Sequence, residues 1–211
     1  MGDTVQREWT AAIGRHRAAI SDYLRAASSI EEPVWRLPVG PDKWSPAQIT
    51  DHLIRTYQIA VRQVRGGEGI RIRYGFLLRQ VLRLLFLPRI FRTRRLPGGA
   101  KAPREILPVD SKMPRETALE RLDEFSGEFE REILLRRNDR RLRLTHHIFG
   151  EIEPLKGVDF MAIHTEHHGR QLPRSGKEIS SATHPMTHPD KTRLIVVPIL
   201  DEGEGRVFSA G

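Results

Sequence analysis

The stretch Met161-Ala-Ile-His-Thr-Glu-His-His-Gly-Arg-Gln171 sets the frame for the rest of the chain. His164 and His168 are one helical turn apart and would project from the same face of a helix. Two imidazoles in this arrangement can bind one cation at Zn–N distances of about 2.0–2.1 Å. Because Met161 and Leu172 share that face, the two histidines are expected to point toward the core. The pattern therefore predicts a metal site inside a helical domain.

A second stretch, Trp44-Ser-Pro-Ala-Gln-Ile-Thr-Asp-His-Leu53, predicts the start of another helix. Ser45 is a suitable N-cap, and Pro46 suits the first helical position, where its missing N–H costs nothing. His52 lies on the apolar stripe of this helix, next to Ile49. Taken alone, such a histidine is typical of a hydrogen-bonded core residue. With a His-x3-His pair elsewhere in the chain, His52 becomes a candidate third ligand.

Apolar residues at helical spacing predict an all-α fold, a four-helix bundle with helices over about 3–29, 45–65, 114–137 and 155–172. A proline-punctuated connector, 32–43, follows the first helix. Residues 96–113 form an extended linker, and 145–154 a short loop. We expect one bundle domain over 1–173, with an insertion at 66–113. The C-terminal tail, 174–211, is expected to be partly disordered, although its apolar run 193–200 could dock on the bundle or pair with a second chain.

The insertion contains a basic amphipathic helix at about 70–91. The chain has a net charge of +8. The segment from Arg62 to Arg104 holds twelve Arg or Lys residues against Glu68 alone, a net charge of +11, so the rest of the chain carries −3. The favoured interpretation is a helix that covers one end of the domain while its arginines face water. Peripheral membrane contact through Arg71 to Arg95 is the alternative. Nucleic-acid binding is not favoured, because no interleaved aromatic residues offer a stacking platform.

The composition limits the chemistry. The chain has no cysteine, which removes disulfides, thiolate metal ligands and cysteine nucleophiles. No stretch is apolar enough to span a membrane, and the N-terminus lacks the apolar region of a secretory signal. A cytoplasmic location is therefore expected. Any metal must be held by histidine, carboxylate or water.

The remaining histidines are expected to play smaller roles. His16 falls on the apolar side of the first helix, where a buried, hydrogen-bonded histidine is more common than a ligand. His167 is off the stripe of the predicted ligands and is interpreted as a supporting or surface residue, and Glu166 lies roughly opposite the pair. His184 and His188 are each followed by proline in the tail, and no role is assigned to them.

Three motifs together resemble the DinB-like family, also called DinB/YfiT-like metalloenzymes. They are the segment 42–53, the loop His146-His-Ile-Phe-Gly-Glu-Ile152, and His164-Thr-Glu-His-His-Gly-Arg-Gln171, and the resemblance covers about 5–173. It implies a four-helix bundle of up-down-down-up type. It also implies a divalent metal, commonly zinc or nickel, held by the histidines that match His52, His164 and His168.

Family members with an activity are thiol S-transferases, so the resemblance implies a small-molecule substrate and bacillithiol, mycothiol or glutathione as co-substrate. Homodimers are common in the family. A metal-dependent hydrolase is the alternative, as is a non-catalytic metal-binding bundle with a basic surface for membrane or nucleic-acid attachment. Gln48 and Gln171, about a turn from the ligands, could orient substrate or a ligand ring. The sequence departs from the family pattern at His147, where proline is expected, at Pro173, and in its tail.

Overall fold

The computed structural model describes residues 2–97, 102–109 and 112–173, and the all-α fold class is confirmed. Its elements are α1 (Asp3–Ser28), α2 (Glu32–Trp35), α3 (Pro46–Val64), α4 (Phe76–Thr93), a 3-10 turn (Arg104–Ile106), α5 (Arg115–Leu135), β1 (Leu144–His146), β2 (Gly150–Ile152) and α6 (Pro154–Gly169). The predictions for 174–211, including His184, His188 and the run 193–200, lie outside the described residues. None of the helices in the described part of the chain is long and apolar enough to cross a membrane.

Four of the five long helices, α1, α3, α5 and α6, make up the body of the fold and match the four helices predicted for the bundle. α1 packs most extensively on α6, and α3 on α5, with a further contact between α1 and α5. The largest fully buried side chains of the core include Tyr23, Tyr57 and Phe129 of these helices and Trp35 of α2. The up-down-down-up arrangement and the domain limits remain predictions.

The start of α3 follows from its first residues. Ser45 has extended backbone angles, and its Oγ accepts a hydrogen bond from the Gln48 backbone N–H at 3.2 Å. The Gln48 Oε1 in turn accepts from the Ser45 backbone N–H at 2.9 Å, which completes a capping box. The predicted N-cap is confirmed. Gln48 does not line the triad cavity, and its Oε1 is held at the helix terminus, so the structure does not bring this side chain to the candidate ligands.

The stretch 145–154 was predicted to be a loop and is a short antiparallel hairpin. Leu144 pairs with Ile152, and both side chains are buried. Gly150 has a φ of +72°, a backbone conformation that favours glycine. Each strand has three residues, which is too short for alternation to stand out from a loop. The last helix also ends earlier than predicted, at Gly169.

α4 is packed against α6 and the hairpin by a second, smaller core. Leu87 and Ile90 of α4 are buried there against Phe160 and Ile163 of α6. The helix begins at Phe76 rather than near residue 70. The segment before Phe76 runs without regular structure, and its Arg73 donates a backbone hydrogen bond to the His147 carbonyl oxygen.

The interpretation that the arginines of this helix face water is wrong for its first half. The Arg83 guanidinium donates to the Glu151 carbonyl oxygen at 2.7 Å, and Arg79 is half-buried beside the hairpin. Leu77 and Leu84 are instead 79% and 73% exposed. The first half of α4 therefore has an apolar side that faces outward.

Candidate metal centre

The three predicted ligands meet at one point. His52 comes from α3, and His164 and His168 from α6. The His164 Nε2 atom lies 3.3 Å from the His52 Nε2 and 3.0 Å from the His168 Nε2. Nitrogen ligands of a tetrahedral zinc ion are separated by about 3.3 Å when Zn–N distances are about 2.0–2.1 Å. The spacing of these nitrogens therefore fits a common cation.

The rings of His52 and His168 each form a hydrogen bond through Nδ1, on the side away from the other histidines, and this bond sets the direction of the Nε2 lone pair. The His52 Nδ1–H donates to the Ile106 carbonyl oxygen at 2.7 Å, and the His168 Nδ1–H donates to the Gln171 Oε1 at 2.8 Å. A neutral imidazole has one N–H, so in both rings Nε2 carries a lone pair. Two lone pairs thus point toward the His164 Nε2, which can donate only one proton. A cation would satisfy all three nitrogens at once.

Gln171 is itself held in one orientation. Its Nε2 donates to the His167 Nε2 at 2.9 Å, while its Oε1 accepts from His168. His167 is thus outside the cluster of three and is joined to it through Gln171, and Gln171 orients the ring of His168, a candidate ligand. Glu166 points elsewhere and forms an ion pair with Arg94.

Burial keeps the triad unprotonated. It lowers the pKa of His52 to about 4. The pKa values of His164 and His168 are held well below the usual 6.5, mainly by burial and further by the neighbouring histidines. All three rings are therefore neutral at pH 7, which is the form that binds a metal.

The triad lies on the wall of a cavity of roughly 890 Å³, within the size range of small-molecule sites. The cavity extends between α3, α4, α6, the hairpin and the linker that contains Ile106. Much of its lining is apolar and includes Ile49, Ile59, Ile90, Leu144, Phe160 and Met161. Among the described residues that line it, Asp42 is the one carboxylate, and it is exposed on the connector before α3.

A family model described as the DinB superfamily matches residues 15–172. The chain belongs to the DinB superfamily. The match includes all three triad histidines and confirms the resemblance drawn from the three motifs. No curated protein and no solved structure gave a significant match to the chain.

In this DinB-superfamily chain, Trp44 forms part of the same wall. Its indole lies with the ring centre 5.0 Å from that of His52, and it stacks at 6.3 Å on His168 with the planes 23° apart. Trp44 immediately precedes the N-cap of α3, so the capping box also positions this ring. The motif that predicted the helix start therefore supplies a packing partner for two predicted ligands.

Two further histidines line the cavity and were not assigned a role from the sequence. The His146 Nδ1 accepts from the backbone N–H groups of Ile148 and Phe149 at 3.2 and 3.3 Å. Burial lowers the pKa of His146 to about 3 and that of His147 to about 4. In the sequence, these two histidines are visible as the His-His pair of the 146–152 motif. Their position at the cavity depends on the hairpin, which the sequence did not predict.

His16 is confirmed as a core histidine. It is buried, and its Nε2 lies 3.0 Å from the Tyr57 hydroxyl. It is not one of the three histidines whose ligand atoms cluster.

Proposed function

We propose that this DinB-superfamily chain is a metal-dependent thiol S-transferase that acts on an uncharged, largely apolar small molecule. The observation that carries the proposal is the convergence of three neutral Nε2 atoms on the wall of an apolar cavity. His52, His164 and His168 would hold a divalent ion, zinc or nickel, as three neutral imidazoles. That ligand set leaves positions open for a co-substrate.

A low-molecular-weight thiol suits this site better than water. Three imidazoles would leave the bound ion able to lower the pKa of a thiol or a water molecule. A free thiol has a pKa of about 8.5 and needs little help to lose its proton at pH 7. The chain has no cysteine, so the sulfur must come from a second molecule. The thiol would lose its proton to solvent as it binds; a C–S bond to the electrophile then forms, and a leaving group departs with its electron pair.

The surroundings favour transfer over hydrolysis. A hydrolase usually needs a nearby base to accept the proton of the attacking water. Among the described cavity residues, the one carboxylate is Asp42, which is exposed. The His146 Nδ1 already accepts two backbone N–H groups. His147 also lines the cavity, and its buried Nε2 has no hydrogen-bond partner among the described residues, so it is the group that could serve as the base in the alternative, a metal-dependent hydrolase. The apolar walls of the cavity would hold the electrophile and exclude water from the reaction.

The first experiment measures metal content and transfer together. Protein purified without a histidine tag or chelator is analysed for bound metal. It is then assayed with glutathione, mycothiol and bacillithiol in turn, against an uncharged aromatic electrophile such as monochlorobimane. We expect about one ion per chain and thiol-dependent product formation, with both lost in His52→Ala and His168→Ala.

Matched variants separate the site from other histidines. His167→Ala, His184→Ala and His188→Ala are expected to keep the metal, because none of the three belongs to the triad. Equal loss from all five variants would show that the triad is misassigned. Stoichiometric metal without transfer from any thiol would contradict the transferase proposal and leave the metal site standing.

A further inference from the structure

Exposed apolar side chains are concentrated on α4 and the residues just before it. Seven of the twelve exposed large apolar residues in the described part of the chain are Ile72, Phe76, Leu77, Leu78, Val81, Leu84 and Leu85. Leu77, Val81, Leu84 and Leu85 recur at spacings of three and four residues, so they form one continuous stripe on the helix. We name these four residues the α4 outer face. Patches of this kind mark interaction sites.

Arginines without carboxylate partners flank this face. Arg89, Arg92 and Arg95 are exposed, and none of them forms an ion pair within the described residues. Arg94, by contrast, is half-buried and pairs with Asp159 and Glu166. At the other end, Arg71 and Arg73 are also exposed, and neither side chain forms an ion pair in the part of the chain that the structure describes. The face is therefore apolar over the first half of α4, with exposed arginines in the second half of the helix and in the segment that precedes it.

Charge decides between the candidate occupants. In a two-fold dimer through this face, the cationic ends of one copy would meet those of the other, whether the helices ran parallel or antiparallel. Nucleic acid would match the arginines, yet it offers no apolar surface for a stripe of leucine and valine. An anionic lipid surface provides both a negative charge for the arginines and an apolar layer for the stripe.

We propose that the α4 outer face rests on the surface of an anionic phospholipid membrane. The helix has 18 residues and would lie in the plane of the interface, with its leucines in the acyl boundary. Its inner face stays in the protein, because Leu87 and Ile90 are buried and Ile90 lines the triad cavity. In a membrane-bound chain, α4 would therefore lie between the lipid and the triad cavity.

The test is flotation of the full chain with vesicles. Vesicles of phosphatidylglycerol and phosphatidylcholine in equal parts are compared with vesicles of phosphatidylcholine alone, at low and at physiological ionic strength. We expect the protein to float with the anionic vesicles and to stay in solution with the zwitterionic ones. The double variant Leu84→Glu/Leu85→Glu should lower the bound fraction about tenfold or more, because it removes the apolar insertion and places two negative charges against an anionic surface.

Two further variants make the test specific. Arg89→Gln/Arg92→Gln should weaken binding to anionic vesicles and make it less dependent on salt. Leu135→Glu is the matched control: Leu135 is 78% exposed at the end of α5, away from the face, and its change should leave flotation unaltered. Thermal melting of each variant checks that the fold is intact.

Several outcomes would overturn the proposal. Failure of the parent chain to float with anionic vesicles at low salt would do so, as would flotation that Leu84→Glu/Leu85→Glu leaves unchanged. A dimer in sedimentation that this double variant converts to a monomer would assign the face to a second copy. Flotation of an Ile195→Glu variant but not of the parent would assign it to the chain's own run 193–200.

Discussion

His168 is oriented by a side chain that follows its own helix, whereas His52 is oriented by a backbone carbonyl from a distant linker. The Gln171 amide accepts from the His168 Nδ1–H and is itself fixed by His167. Such outer partners set the tautomer and direction of a ligand ring, and their loss typically weakens metal binding. Gln171 therefore offers a direct test of the site that leaves all three ligands in place.

At this scale we predict that Gln171→Leu lowers metal affinity by about 10- to 100-fold, because the His168 ring loses the acceptor that holds its Nε2 toward the ion. Affinity is measured by competition against a chromogenic chelator. Gln58→Leu is the control, since Gln58 lies on the same helix as His52 but is exposed. Identical affinities for parent and Gln171→Leu would show that the His168 orientation does not depend on this bond.

The three candidate ligands could be predicted from sequence, and most of their partners could not. His164 and His168 follow from helical spacing, and His52 from its place on an apolar stripe. Gln171 lies within one helical turn of His168, so its contact with that ring could also be predicted from the sequence. The Ile106 carbonyl is 54 residues from His52, and no local pattern indicates which carbonyl of a linker will face a given ring.

Among the elements, α6 and the hairpin meet at a glycine. A Cβ atom added at Gly157, in the first turns of α6, would overlap the Leu144 side chain of β1. Leu144 is buried, and its Cγ would also lie only 3.3 Å from the added Cβ, so the whole side chain rather than one methyl group would have to shift. Gly157 therefore sets how closely the hairpin approaches the helix that carries His164 and His168.

We predict that Gly157→Ala lowers the free energy of unfolding by about 1 kcal/mol or more, because overpacking outweighs the better helix propensity of alanine. Urea unfolding followed by circular dichroism measures the change. Gly14→Ala is the matched control: Gly14 lies within α1 and has no neighbouring atom within 4 Å of the added Cβ, so this change should stabilise the fold. Equal stabilisation by both substitutions would refute the close contact.

Elements with a capping residue or a helix-starting proline could be predicted from the sequence. Elements whose structure depends on contacts with distant residues could not. The Ser45 cap and Pro46 locate the start of α3 to the residue. The hairpin, at three residues a strand, takes its shape from the burial of Leu144 and Ile152. In α4, the Arg83 guanidinium donates a hydrogen bond to the Glu151 carbonyl oxygen, so this arginine faces the hairpin rather than water. Helical periodicity shows two apolar sides on α4 but not which of them is covered.

For the whole molecule, the buried histidines link stability to pH. Burial lowers the pKa of His16 to about 4, and His52, His146 and His147 shift in the same direction. In the unfolded chain a histidine gains its proton near pH 6.5. Between about pH 6.5 and 4 the unfolded chain therefore binds more protons than the folded one, and the free energy of unfolding falls as the pH falls.

We predict that His16→Gln flattens this dependence. The His16 contribution is fully present above about pH 6.5 and falls by about 3 kcal/mol as the pH approaches 4. Urea unfolding from pH 7 to 4.5 with a chelator present compares the two proteins without competition from metal. Glutamine is chosen because its amide can still bond the Tyr57 hydroxyl. Parallel curves for parent and variant would mean that His16 already carries a proton in the fold.

The sequence also indicated how the charge is divided across the molecule, with +11 on 62–104 and −3 elsewhere. The all-α class and the DinB superfamily followed from periodicity and three short motifs. The cavity could not be predicted, because its walls come from α3, α4, α6, the hairpin and the linker at once. Such a volume depends on how far apart the elements pack, which no single stretch of sequence specifies.

The bond from His52 to the Ile106 carbonyl has a consequence for how the protein can vary. A point mutation can delete the Gln171 amide, but none can delete a main-chain carbonyl, which every residue type carries. In a library of all single substitutions tested for metal retention, position 171 should tolerate only residues that accept a hydrogen bond. Position 106 should tolerate any apolar residue that fills the buried space of isoleucine. Substitution of its partner can therefore misorient His168, whereas the partner of His52 is kept whatever residue stands at position 106.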